Sequence, residues 1–113
     1  MPNIEDVTEP GAPVISTVVT VAEAKAHLRV QHDAEDAYLL ALILQAQAAA
    51  EDYCRVSFMI DYNTVPQPVR LAVLLMVSHY YENRDNADKQ VYITMRAAFE
   101  NLLYPYRDPD KLF

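Results

Sequence analysis

Few side chains in this sequence are spaced for chemistry. His79 and Glu82 stand at i, i+3, one half of the pattern by which helical bundles hold a pair of metal ions. Such a site needs a second copy of the motif and two further carboxylates, and neither stands at a matching place. His27 and His32 flank a turn with no partner at ligand spacing. The acids gather as Asp33, Glu35 and Asp36 and as Glu51 and Asp52. A catalytic carboxylate needs a pocket that shifts its pKa, whereas these read as helix-end and surface positions. Ser16, Ser57 and Ser78 lie in no nucleophile elbow. Cys54 is the only cysteine, so neither an internal disulfide nor a thiolate cluster is available, and it reads as a small buried apolar residue. With a single glycine, Gly11, neither GxGxxG nor a P-loop can be written. The expectation is a protein that is not an enzyme and uses neither metal nor cofactor.

The totals narrow the class further. The 113 residues suffice for one domain with one core, and 52% are hydrophobic, which excludes a disordered or fibrous chain. No apolar run approaches the ~18 residues of a membrane span. The first nine residues include Glu5, Asp6 and Glu9 and no basic residue, unlike a signal peptide. The expected setting is a cytoplasm, or a particle assembled there. Net charge is -7 and the pI near 4.7. Affinity for a phosphate backbone comes largely from clustered Lys and Arg, so nucleic-acid binding is disfavoured, although an acidic wall facing DNA would repel it and let it slide.

The elements follow from periodicity and caps. Residues 1–19 read as an arm broken by Pro2, Pro10, Gly11 and Pro13, with a β-branched run from Val14 to Val19 able to pair as a strand. Thr20 with Glu23 forms a capping box, predicting a helix over 21–29. Asp33 predicts the start of a second helix reaching Arg55. On it Leu39, Leu42, Ile43, Ala46, Ala50 and Tyr53 form a core stripe, and Leu40, Leu44 and Ala48 a second apolar line. Residues 56–65 form a connector in which 57–60 could be a short strand, with Asp61 and Asn63 as turn residues. A third helix starts at Pro66 or Pro68 and runs to Arg84. It carries two stripes: Leu71, Leu74, Leu75, Ser78 and Tyr81; and Val69, Val73, Met76 and Tyr80. A last helix spans 91–103 and stops at Pro105. The fold expected is all-α: a bundle of about four helices with a short extended segment and extended arms at both ends, divided as arm 1–19, domain 20–104 and tail 105–113.

Helices that are apolar on more than one face must be covered on more than one face, and a domain of this size encloses few positions. Either one helix is central and the others surround it, or a neighbouring subunit supplies the cover; the second is the reading preferred. Tyr104, Tyr106 and Phe113 beside Arg107 have the composition of an interface anchor.

Three segments together resemble a known family. Thr20 to Val30, followed by the acidic turn 33–36 and Tyr38-Leu39-Leu40-Ala41-Leu42-Ile43, is similar to the opening of phage head–tail connector (adaptor) proteins. Val65-Pro66, then residues 69–77, then His79-Tyr80-Tyr81-Glu82-Asn83-Arg84 resembles their proline-started helix and its Tyr-Glu-Asn-Arg ending. Leu102-Leu103-Tyr104-Pro105-Tyr106-Arg107 resembles their closing segment. The connector 56–65 is shorter than in many relatives, and the arm longer. The resemblance implies a closed ring of about a dozen copies between a portal protein and a tail-side stopper or tail-completion protein, with DNA passing the lumen without specific binding. The location implied is the head–tail interface of a virion, infectious or gene-transfer, assembled in the host cytoplasm. Tyr104, Tyr106, Arg107, Leu112 and Phe113 would dock on the portal. The subunit interface would use Leu40, Leu44, Val73, Met76, Tyr80, Glu82 and Arg84, with Glu82 and Arg84 fixing register and Glu51 or Asp52 as partner carboxylate. Two rivals keep the helices without the ring: an acidic helical regulatory or binding protein, and a small ligand- or metal-binding bundle.

Overall fold

The computed structural model describes residues 17–83 and 88–108. Helix α1, Val21–Leu28, opens on the capping box its sequence predicts. The Thr20 side chain accepts from the Glu23 amide at 3.1 Å, and the Glu23 carboxylate accepts from the Thr20 amide at 2.8 Å. It ends at Arg29 in the left-handed region, φ 62°. Helix α2, Asp36–Cys54, starts later than Asp33 predicts and ends at Arg55, φ 61°. Asp33 does not cap it, because its carboxylate is drawn to the ammonium of Lys25, which also pairs with Asp36 at 3.0 Å.

The connector holds the clearest correction. Residues 57–60 are not a strand: Phe58–Asp61 form one helical turn, α3. The β-branched and aromatic character of the segment is overridden by two acids that take up its first amides. Asp61 Oδ2 accepts from the Ser57 amide and Glu51 Oε2 from the Phe58 amide, each at 2.9 Å. Helix α4, Gln67–Glu82, has Pro68 in its first turn, where a missing N–H costs nothing. Helix α5, Lys89–Leu103, begins two residues earlier than its apolar pattern suggests. Asp88 caps it, accepting from the amides of Gln90 and Val91. A 3₁₀ turn, Tyr104–Tyr106, follows at Pro105. Half of the expected strand, residues 14–16, lies outside the described residues; the other half, 17–19, is a bend rather than a strand, with Val18 and Val19 buried in the core.

Helix α4 is the hub, packing against α1, α2 and α5. The core joins Leu42, Ile43, Ala46 and Ala50 of α2 to Val69, Val73 and Met76 of α4, and Phe99 and Leu103 of α5 close it from the far side. Phe58 fills one end. The central-helix arrangement therefore accounts for the stripe Val69–Val73–Met76–Tyr80 within a single copy. It does not account for Leu44 and Ala48 of the second α2 line, nor for Leu71 on α4, which stay exposed; Leu40 of that line is half-buried.

Candidate functional site

The N-terminal entry is held by polar contacts that the apolar pattern alone did not reveal. Gln47, a polar residue among alanines on α2, is buried and accepts from the Val18 amide at 2.7 Å. Arg70 on α4 donates to the Val18 carbonyl at 2.8 Å and pairs with Glu23 of α1. One guanidinium thus ties the entering chain, α1 and α4 together, and Glu23 is both cap and ion-pair partner. The signal was present: Gln47 sits at the edge of the α2 core stripe, and Arg70 interrupts an otherwise apolar start to α4.

The expected interface residues divide. Val73 and Met76 have no exposed surface within one copy; their stripe faces α2 and α5, so they are core residues and offer nothing to a neighbour. Leu40 is half-buried, Leu44 is 41% exposed on α2, Tyr80 is half-buried, and Glu82 is exposed. Arg84 lies outside the described residues. Its expected partners have other contacts: Glu51 accepts from Phe58, and Asp52 lies 3.8 Å from Arg55. The outward line of α4, which the sequence offered equally as core, supplies Leu71 at 44% exposure. Beside it Leu75 joins Val91, Thr94, Met95 and Ala98 of α5 around an almost wholly apolar groove of about 430 Å³.

The closing segment is fastened at its base. Arg107 donates to the Tyr53 carbonyl at 3.1 Å, and its guanidinium lies 4.5 Å from the centre of the Tyr53 ring. The Asp108 amide donates to the Cys54 carbonyl at 2.9 Å, and the Cys54 thiol faces the Leu103 carbonyl at 3.6 Å. Burial pushes that thiol up to about 11, against the opposing pull of Arg107, so it stays protonated and is poorly nucleophilic. Of the residues expected to dock, Tyr104 is 67% exposed, Tyr106 packs partly on the core and Arg107 is engaged within the chain. Leu112 and Phe113 lie outside the described residues.

On the other flank of α2 a second cleft, of about 510 Å³, opens over the ends of α4 and α5. Its floor is a row of rings: His79 lies 5.8 Å from Tyr80 and 5.6 Å from Tyr92, centre to centre. Burial raises the Tyr80 hydroxyl above the ordinary tyrosine value. His79, one half of the spaced pair, is set between aromatic rings and next to Asn83 rather than beside carboxylates; among the described residues no three His, Cys, Asp or Glu side chains gather as a metal site.

The capped α1 leading through an acidic turn into α2, the proline-started α4 and the closing turn fastened onto α2 are the three segments on which the sequence resemblance rests. The family model of phage gp6-like head-tail connector proteins matches residues 18–108, most of the chain. The chain belongs to this family. No curated protein and no solved structure matches it significantly. As a connector it is a structural component of a phage particle, assembling with other head and tail proteins. The match begins at Val18, where the buried entry begins, and ends at Asp108, where the backbone bond to Cys54 fastens the closing segment. No helix among the described residues is long and apolar enough to cross a membrane.

Proposed function

We propose that copies of this connector close into a ring of about a dozen between the portal and a tail-side stopper or completion protein, so that DNA leaves the head through the lumen. The observation carrying this reading is the pair of exposed apolar patches on different helices: Leu44 and Ala48 beside the half-buried Leu40 on α2, and Leu71 with the groove beside Leu75 on α4 and α5. Different patches on one protomer suit a head-to-tail contact, which closes into a ring when the rotation allows. Tyr104 and the segment beyond Asp108 dock on the portal, leaving from a base held by Arg107. The net charge of -7 keeps the lumen from gripping DNA.

Native mass spectrometry of the protein with and without its portal tests the reading. The expected result is a cyclic complex on the portal, lost when Leu44→Lys and Leu71→Lys are combined. A connector that binds the portal only as single copies would overturn it.

A further inference from the structure

The ring-lined cleft over α4 and α5 is not used by the apolar lines just described, and its chemistry points to a particular occupant. Extended proline segments are bound in grooves built of aromatic side chains, because the polyproline II conformation is already formed and presents flat apolar faces. Here His79, Tyr80 and Tyr92 form an unbroken row, with Tyr38 on the opposite wall, in a volume within the ~300–1,000 Å³ usual for binding pockets. The rim carries the exposed Lys89 at the first turn of α5, where the helix dipole adds positive potential. Asp88 beside it is committed to capping that helix.

The chain itself contains a matching segment. Residues 1–16 include Pro10-Gly11-Ala12-Pro13, a P-x-x-P sequence, directly after Glu9, with Glu5 and Asp6 nearby and no Lys, Arg or His. We propose that Pro10–Pro13 of one copy seats in the Tyr/His cleft of a neighbouring copy, with Glu9 facing Lys89. This strap deepens the assembly proposed above and rests on copies lying side by side.

Reach decides between the two possible donors. Val18 is pinned to Gln47 and Arg70. Gln45, which lines the cleft, lies ~200° round α2 from Gln47, so the cleft opens on the opposite flank. Along α4, His79 and Tyr80 lie nine and ten residues beyond Arg70, ~14 Å, and passing round α2 adds the ~10 Å breadth of a helix. Pro13 precedes the pinned Val18 by five residues, which span at most ~18 Å, against the ~24 Å of that path. A copy's own Pro13 therefore falls short of its own cleft, which leaves a neighbouring copy as the donor.

A fluorescent peptide of residues 5–16, titrated into full-length protein carrying Pro10→Ala and Pro13→Ala, tests the cleft. Saturable binding is expected, weakened about tenfold by Tyr92→Ala and several-fold by the surface change Lys89→Glu. No saturation by about 1 mM peptide, or binding indifferent to both changes, would overturn the proposal. A carbodiimide cross-link of Glu9 to Lys89 in portal-bound rings made from mixed ¹⁴N and ¹⁵N protein identifies the donor. Mixed-isotope pairs are expected, and same-isotope pairs alone would refute the exchange. Peptide binding is read on the free chain, so rings without it remove only the strap, and binding without rings removes the ring.

Discussion

Helix α4 carries two apolar stripes of nearly equal quality, and the molecule encloses one fully and the other only in part. Val69, Val73 and Met76 are enclosed between α2 and α5, while Leu71 stays largely exposed and Leu75 borders an open groove. Nothing intrinsic to the two sets of side chains explains the difference. It arises from where the neighbours attach: α2 and α5 meet over Val69, Val73 and Met76 and leave Leu71 uncovered. The enclosed stripe contributes to the stability of one copy, and the open one is available to another.

The largest effect that could break this contrast is on the enclosed side. Met76→Ala leaves a cavity at a fully buried position and should cost about 2–5 kcal/mol, against under about 1 kcal/mol for Leu71→Ala. Chemical denaturation of the free protein measures both. Equal losses would mean that the two stripes are not distinguished by burial. Gln47→Ala should fall between them. It leaves the Val18 amide buried without its acceptor, at a cost of about 1–3 kcal/mol, read from the same denaturation curves. On the open side the order reverses. Leu71→Lys should leave the free chain's midpoint nearly unchanged yet weaken ring formation about tenfold, or ~1.4 kcal/mol, measured by native mass spectrometry on the portal.

The same contrast explains what could be read from the sequence. Four long helices and most of their ends were legible, because Thr20 with Glu23, Pro68 and Pro105 act locally on the backbone. The line Leu40–Leu44–Ala48 was legible as surplus, since α2 already had a complete core stripe. The choice between the stripes of α4 was not, because it depends on contacts between residues far apart in the chain. The turn at α3 was hidden for a related reason: one of its amides, that of Phe58, is satisfied by Glu51, seven residues away, which no local propensity includes. Val73 and Met76 were assigned to the wrong side by this one ambiguity. Lys25, Gln47, Arg70 and Arg107 each act on partners between eight and 54 residues away, and only composition hinted at them.

The closing segment offers a smaller test, because its hold on α2 is partial. The Cys54 thiol is enclosed and raised by burial, so alkylation at neutral pH should be slow in the folded chain. Arg107→Ala removes the donor to the Tyr53 carbonyl and the cover on its ring, and should speed alkylation several-fold without unfolding the bundle. Stopped alkylation assays alongside circular dichroism separate local release from global loss. An unchanged rate would show that Asp108 and Leu103 hold the thiol without Arg107.

The smallest effect belongs to the charged turn between α1 and α2. The Asp33 carboxyl lies below its ordinary value of 3.8, first through its hydrogen bond to Lys25, and Lys25 lies above 10.5 through its bonds to Asp33 and then Asp36. A lowered acid contributes stability above its unfolded value and loses it as pH falls through the folded one; a raised lysine contributes below its unfolded value and loses it as pH rises through the folded one. The pair should therefore be fully formed from about pH 5 to pH 9 and release at both extremes. Asp33 is exposed, so solvent screens the pair and the expected change in midpoint is near the limit of detection. Carboxyl carbon NMR is the sensitive measurement: Asp33 should titrate below the ordinary aspartate value, and Lys25→Gln should return it to that value. If Asp33 titrates at the ordinary aspartate value in the intact chain, the clamp contributes nothing in solution. The position of α1 then rests on Arg70, Gln47, the buried valines and its own Ala24 and Leu28, which places the N-terminal entry with the enclosed stripe of α4 rather than with its surface charges.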